Sequence, residues 1–307
     1  MLRFAVPVLA FFAIALAATF LSKPSPDELL TQATESFAKI DRGVFDFQVA
    51  IAPRGAAAAV SPPASVQLAG PFEIRTGDKL PTARIEYTVS SGGQKQTVTL
   101  ITTGDKAYTE IQGQAYELPP AALKDLQEAA GGLKAKGKSG GGLAGLNLNF
   151  DKWVVDPQVV NGGVVGGQKT WRVDAGVDVV TALRDLITQS KALGSITGSQ
   201  LPTSLNDKDA ETLRKSIKRA FVRIYVGRYD HILRRFDLTM DVSQAGGTAS
   251  SATAALSGGR ANITIAISDP NQSIAVKAPE DPLSYKALQS LTGGATGPTG
   301  SNASKSK

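Results

Sequence analysis

The chain has 307 residues, with 33 basic and 27 acidic side chains, one histidine and no cysteine. That length allows one large domain or two small ones with a real core, and 42% hydrophobic content is too apolar for a wholly disordered chain. The absence of cysteine excludes disulfides, Cys-zinc sites, iron–sulfur clusters, Cys nucleophiles and acylation on a lipobox cysteine, and the lone His231 excludes a multi-histidine metal site.

Phe4 to Leu21 is almost wholly apolar, with Arg3 before it and Lys23 after it. Its length falls between a signal-peptide core (~7–15 residues) and a spanning helix (~20). Ala15-Leu16-Ala17 offers a small-x-small cleavage site. Residues 1–22 therefore read as a signal peptide or an N-terminal membrane anchor, and the body is expected to be extracytoplasmic in either case: cell-envelope, held by this segment or secreted.

Ser25-Pro26-Asp27-Glu28 starts a helix: Ser25 can cap, Pro26 fits the first position and Glu28 completes a capping box. Leu29, Leu30, Ala33, Phe37 and Ile40 form its apolar stripe, and Gly43 is expected to end it. The period then changes to two. Phe45, Phe47, Val49 and Ile51 alternate with polar or small neighbours, as do Val66, Leu68, Gly70, Phe72 and Ile74, then Ile85, Tyr87 and Val89. Ser91-Gly92-Gly93 turns this last strand into a hairpin with Lys95–Thr103, and two short strands follow around 106–111 and 115–118.

Pro119-Pro120 opens a short helix to Ala129, and Gly131 to Gly145 reads as a mobile Gly/Lys-rich loop. Trp153–Val160 and Lys169–Asp174 read as strands around an Asn161–Gly167 turn. One helix begins at Asp178, with Val179, Leu183, Leu186 and Ile187 on one face. A second starts at Asn206 or Asp207, with Ala210, Leu213 and Ile217 inward. Strand alternation returns with Val222, Ile224 and Val226, then Ile232 to Val242, then Ile263, Ile265 and Ile267, and finally Ile274 and Val276 after an Asp269–Gln272 turn. Ser243–Arg260 is rich in small residues and reads as floppy.

About ten strands and four helices result, without a βαβ rhythm. The fold class is α+β: a curved antiparallel half-barrel with helices covering its concave face, a single domain over 24–286 and a disordered tail from 287 to 307.

Three segments carry a resemblance: Trp171-Arg172-Val173-Asp174 leading into a helix, the hairpin Val222–Gly227 with Ile232–Leu238, and Ile267–Asp269 with Ile274–Pro279. With the Asp-Lys-Ala-Tyr strand at 105–108, they resemble the LppX/LprAFG family of cell-envelope lipoproteins, which has a LolA-like fold. The resemblance spans roughly residues 25–286. It departs at Ala17–Ser22, where those relatives carry an acylated cysteine.

The resemblance implies an apolar cavity between sheet and helices that holds acyl chains. The candidate lining is Phe45, Phe47, Leu68, Phe72, Ile85, Tyr87, Leu100, Leu183, Ile187, Phe236, Leu238, Ile263 and Ile265; any single one of them reads more readily as ordinary core, and the set carries the expectation. A basic cluster, Arg214, Lys215, Lys218, Arg219, Arg223, Arg228, Arg234 and Arg235, reads either as solvated charge or as a patch for lipid headgroups and the membrane surface. Lys134, Lys136 and Lys138 add a basic loop.

Two sharper motifs fail on context. Gly132–Ser139 matches a P-loop pattern, yet a helix precedes it and Gly140–Gly142 follows. Gly137–Gly141 matches a nucleophile-elbow pattern, with His231 later, but no α/β sheet supports it. His231 reads as a surface side chain.

The expectation is a non-enzymatic lipid-binding or lipid-transfer protein that needs no cofactor and no metal. Its partners would be lipid or a lipidated molecule, the membrane surface and an envelope transporter, with no nucleic acid. The alternative is an envelope-exposed interaction domain of the same fold with a filled core.

Overall fold

The computed structural model describes residues 23–59, 62–74, 79–135, 150–190, 207–243 and 258–291. The expected signal or anchor, the loop from 136, most of the segment after Ser243 and the tail from 292 lie outside the described residues, as do the P-loop and elbow matches beyond Ala135. Among the described residues, no helix is long and apolar enough to cross a membrane.

Twelve strands form one sheet: β1 (Arg42–Pro53), β2 (Ala64–Glu73), β3 (Thr82–Ser91), β4 (Gln94–Thr103), β5 (Ala107–Ile111), β6 (Gln114–Glu117), β7 (Val154–Val165), β8 (Gln168–Val177), β9 (Ile217–Gly227), β10 (Leu233–Val242), β11 (Gly259–Ser268) and β12 (Leu283–Ser284). Their order is β12-β6-β5-β4-β3-β2-β1-β11-β10-β9-β8-β7. The two outer strands do not pair, so the sheet stays open as a half-barrel. All neighbours are antiparallel except β12, which runs parallel to β6.

Six α-helices and one short 3-10 helix (Gly55–Ala59) accompany the sheet among the described residues, the α-helices being α1 (Pro26–Ala38), α2 (Pro120–Ala135), α3 (Phe150–Trp153), α4 (Val179–Ser190), α5 (Asp207–Ser216) and α6 (Tyr285–Leu291).

The register explains the alternation. Directly opposed residues share a face, and one row of them crosses ten strands: Val159, Val173, Ile224, Phe236, Ile265, Phe47, Leu68, Tyr87, Val98 and Ile111. All ten are apolar or aromatic. The neighbouring row on the other face, Gln158, Asp174, Arg223, Asp237, Thr264, Gln48, Gln67, Thr88 and Thr97, is wholly polar. An antiparallel sheet with one buried and one wet face has this pattern. At the far edge the second face is buried too, at Ile101 and Tyr108.

Helices seal only part of the apolar face. Leu29, Leu30, Ala33 and Phe37 of α1 and Phe150 and Trp153 of α3 pack with the inward residues of β7 to β11 into the main core. Phe150, Trp153 and Phe236 meet with ring centroids 5.6–6.5 Å apart, and the Trp153 indole donates to Asp185 of α4 at 2.8 Å. A second, smaller cluster joins Leu80 and Ala107 to Leu123 and Leu126 of α2.

Several expectations are corrected. α1 ends at Ala38 with Lys39 as its cap; Gly43 lies inside β1. The Ser25 hydroxyl accepts from the Glu28 N–H at 3.2 Å, but the Glu28 carboxylate accepts from Gln32, one turn on. α2 runs to Ala135, through the first residues of the expected loop. β7 continues through Asn161-Gly162-Gly163 with a register shift, so its turn is Gly166-Gly167 alone. Ile217 opens β9 rather than closing α5. The Asp269–Gln272 turn forms, its Gln272 N–H donating to the Asp269 carbonyl at 3.2 Å, but Ile274 and Val276 build no strand. From there the chain runs irregularly to β12 at the far edge, and α6 reaches Leu291.

Gly70 in β2 has a φ of +149°, and a β-carbon there would overlap the Arg84 carbonyl oxygen of β3. Gly70→Ala is therefore expected to lower stability by about 1–3 kcal/mol, as forced backbone strain does. Thermal melting checks it; an unchanged midpoint would contradict this packing.

Candidate functional site

The apolar row changes character along its length. Val159, Val173 and Ile224 are essentially inaccessible, and Phe236 is 6% exposed. Ile265, Phe47 and Leu68 are half-buried, and Tyr87 and Val98 reach 43% and 36% exposure. The exposed stretch runs on β3 and β4, between the two hydrophobic clusters and belonging to neither.

The expected lining residues fall along this gradient. Phe72, Phe236 and Leu238 sit in the main core, with Phe45, Ile263 and Ile265 packed against it. Phe47, Leu68, Ile85 and Leu100 are half-buried, and Tyr87 is the most open. The register places all of these sheet residues on the inward face. Leu183 and Ile187 lie on α4, and their side chains fall outside the described residues.

The sequence reading omitted Val66, Val89, Val98 and Ile111 from the lining. Val66 and Val89 were visible in the alternation itself. Val98 follows from the two-residue turn: Gly92 and Gly93 both take positive φ, 57° and 81°, so Ser91 faces Gln94 and Tyr87 faces Val98.

The basic residues are not one cluster. β9 has 11 residues and so is about 33 Å long. Arg214, Lys215, Lys218 and Arg219 stand at one end of it and Arg228 at the other. Lys215 pairs with Glu211 at 3.3 Å. Arg223 and Arg235 lie on the wet face, Arg235 paired with Asp237 at 2.8 Å and Arg223 over the Phe221 ring at 4.9 Å. Arg228 stacks on Trp171 at 4.0 Å and donates to the Thr170 carbonyl and Asn161. Arg234 is buried and ion-paired to Asp230.

Two open concavities flank the sheet. One, of about 400 Å³, lies between α1 and the turns after β9 and β11 and includes Glu35, Lys39, Asp230 and the exposed His231. The other, of about 250 Å³, lies where β8 enters α4 and includes Asp178, Arg214, Lys218 and Arg219. Among the described residues, no group of three His, Asp or Glu side chains could hold a metal.

Asp178 is the cap of α4. Its carboxylate accepts from the backbone N–H groups of Val180 and Thr181, at 3.1 and 3.2 Å, and from the Thr181 hydroxyl at 2.8 Å. Partial burial pushes this carboxyl up, but the Thr181 and Val180 hydrogen bonds and the Arg214 charge together hold it below the ordinary carboxylate range.

No protein-family model matches the chain, and no curated protein matches its sequence. Among solved structures, it is similar to LprF from Mycobacterium bovis, at 12% identity and a TM-score of 0.43, over 85% of this chain and all of that one. It is also similar to a LolA superfamily protein from Nitrosomonas europaea, at 8% identity and a TM-score of 0.19, over 82% of this chain and 96% of that one. What makes this chain an open half-barrel is its own strand order and the one-sided placement of its main core.

Asp178→Ala is expected to destabilise the fold by about 1 kcal/mol through loss of the cap. Because the folded carboxyl titrates below its unfolded value of about 3.9, its contribution is complete above about pH 5 and disappears as pH falls through the folded value. Melting curves of both proteins should converge over that acid window; a constant difference down to pH 2 would contradict the assignment.

Proposed function

We propose that the inward sheet face between the two hydrophobic clusters binds the acyl chains of a lipid, and that the protein is a non-enzymatic extracytoplasmic lipid carrier with a single domain over residues 24–286. The observation that carries this is the continuous apolar row that passes from full burial at Ile224 to open side chains at Tyr87 and Val98. A folded chain gains by covering such a surface, and an alkyl chain laid along it gains about 0.8 kcal/mol per methylene removed from water. Apart from the Tyr87 hydroxyl, no side chain along the row supplies a hydrogen-bond donor, and none carries a charge, so the surface favours hydrocarbon over a polar substrate. The expected anchor or signal, Phe4 to Leu21, would place the domain on the outer side of a membrane, where such cargo is found.

The test is equilibrium binding of a fluorescent fatty acid to the full chain and to Tyr87→Lys. Tyr87 is exposed enough for the substitution to spare the fold, while a charge in mid-row opposes hydrocarbon. Binding should weaken at least about tenfold, equivalent to the loss of roughly two methylene contacts, with the melting temperature unchanged. Equal affinity in the two proteins, or no binding to the unsubstituted chain, would overturn the proposal.

A further inference from the structure

Strand pairing gathers Pro53, Gly259, Val242 and Ile217 at one rim of the sheet. Cations from distant parts of the sequence converge there. Arg260 and Arg54 pair with the single Asp241 carboxylate at 2.8 and 3.4 Å, and Arg219 adds its charge to the same group. Alongside, Arg214, Lys218 and Arg219 border the 250 Å³ concavity. All three are exposed, and among the described residues none has a carboxylate within ion-pair distance. The Asp178 carboxylate nearby is committed to the α4 cap. Five cations thus face two carboxylates.

The opposite rim is built differently. There Arg42 pairs with Asp41, Lys79 with Asp105, Lys106 with Glu117 and Arg234 with Asp230. On the wet face Arg172 and Arg235 are likewise matched by Asp174 and Asp237. Lys39, Lys169 and Arg228 also stand at that opposite rim without an ion pair among the described residues, but Lys39 shares its concavity with Glu35 and Asp230 and Arg228 is stacked on Trp171, whereas Arg214, Lys218 and Arg219 border one concavity together, beside Arg54 and Arg260.

We infer that this rim, carried by Arg54, Arg214, Lys218, Arg219 and Arg260, is a docking surface for an anionic lipid bilayer. The cations stand at the end of α5 (Arg214), on β9 (Lys218, Arg219), on β11 (Arg260) and just after β1 (Arg54), with β10 and its Asp241 between them, and the four adjacent strand ends make a front about 15 Å across at ordinary strand spacing. That is a broad front suited to many headgroups at once. The large hydrophobics exposed among the described residues include no aromatic beside these cations; Tyr229 stands at the opposite rim and Tyr87 on the inward face. A nucleic acid would find no stacking platform there. The surface requires only charge and does not depend on acyl binding by the inward face.

The experiment is co-sedimentation of the full chain with phosphatidylglycerol-containing and with pure phosphatidylcholine vesicles, across a range of salt. Any contribution from the apolar N-terminal segment or from acyl capture is common to both, so the anionic-to-neutral ratio isolates the rim. Basic residues near an anionic surface each contribute about fivefold in affinity. The triple variant R214Q/K218Q/R219Q should therefore lose at least tenfold on the anionic vesicles and nothing on the neutral ones, whereas K39Q/K169Q at the other rim should lose little. The unsubstituted chain supplies a reading independent of any variant: its preference for anionic vesicles should collapse as salt rises from 50 to 500 mM, roughly a threefold shortening of the screening length. No preference for anionic vesicles, a salt-independent preference, an equal loss in the control variant, or tighter binding to a DNA duplex than to the vesicles would each overturn it.

Discussion

The structure depends on one constraint: a ten-strand apolar face has to be kept from water, and the described helices are too few to do it. α1, α3 and α4 stand over β7 to β11, α2 over the lower part of β5, and the row through Leu68, Tyr87, Val98 and Ile111 is left between them. Closing the sheet into a barrel would have hidden the face, but β7 and β12 do not meet. The open stretch follows from the distribution of helices: α1, α3, α4 and α5 all contribute to the main core over β7 to β11, whereas α2 and α6 stand at the β5, β6 and β12 edge. An apolar face this continuous, bounded by two separate clusters, is the arrangement an acyl chain would complete.

The wet face and the rims have the opposite economy. On the wet face Arg235 pairs with Asp237 and Arg172 with Asp174, each two residues apart along one strand, and these pairs do little beyond keeping the surface soluble. Asp178 and Asp241 are different, because each holds several partners at once and is kept below the ordinary carboxylate range by them: Asp241 by hydrogen bonds from Arg260 and the charges of Arg260, Arg54 and Arg219, against the raising effect of burial. Asp241 ties β10 to β11 and to the end of β1, at the point where the positive rim is densest.

Much of this was legible before the coordinates. The period-two runs through Phe45, Phe47 and Ile51, and through Ile263, Ile265 and Ile267, predict strands with the correct inward face, because alternation survives any uncertainty about partners. The N-terminal helix was legible in its cap and its stripe. The failures have local causes. Ile274 and Val276 alternate like a strand, but β1 already occupies the free side of β11, so no edge is left for them. Asn161-Gly162-Gly163 has the composition of a turn, yet an edge strand can absorb it as a register shift. The basic residues between 214 and 235 are neighbours in sequence and not in space, since a strand carries them from one rim to the other, and no local pattern could have added Arg54 and Arg260 to them. Which inward residues remain open was also invisible, because alternation marks a face and says nothing of the helices laid over it.

The central claim is that the open part of the inward face holds hydrocarbon. Native mass spectrometry of the full chain, exported by a lipid-rich host and followed by organic extraction, tests it most directly. The account predicts excess mass that extracts as lipid and is lost when Tyr87 carries a charge. A bare protein mass that stays bare after incubation with long-chain lipids would contradict it.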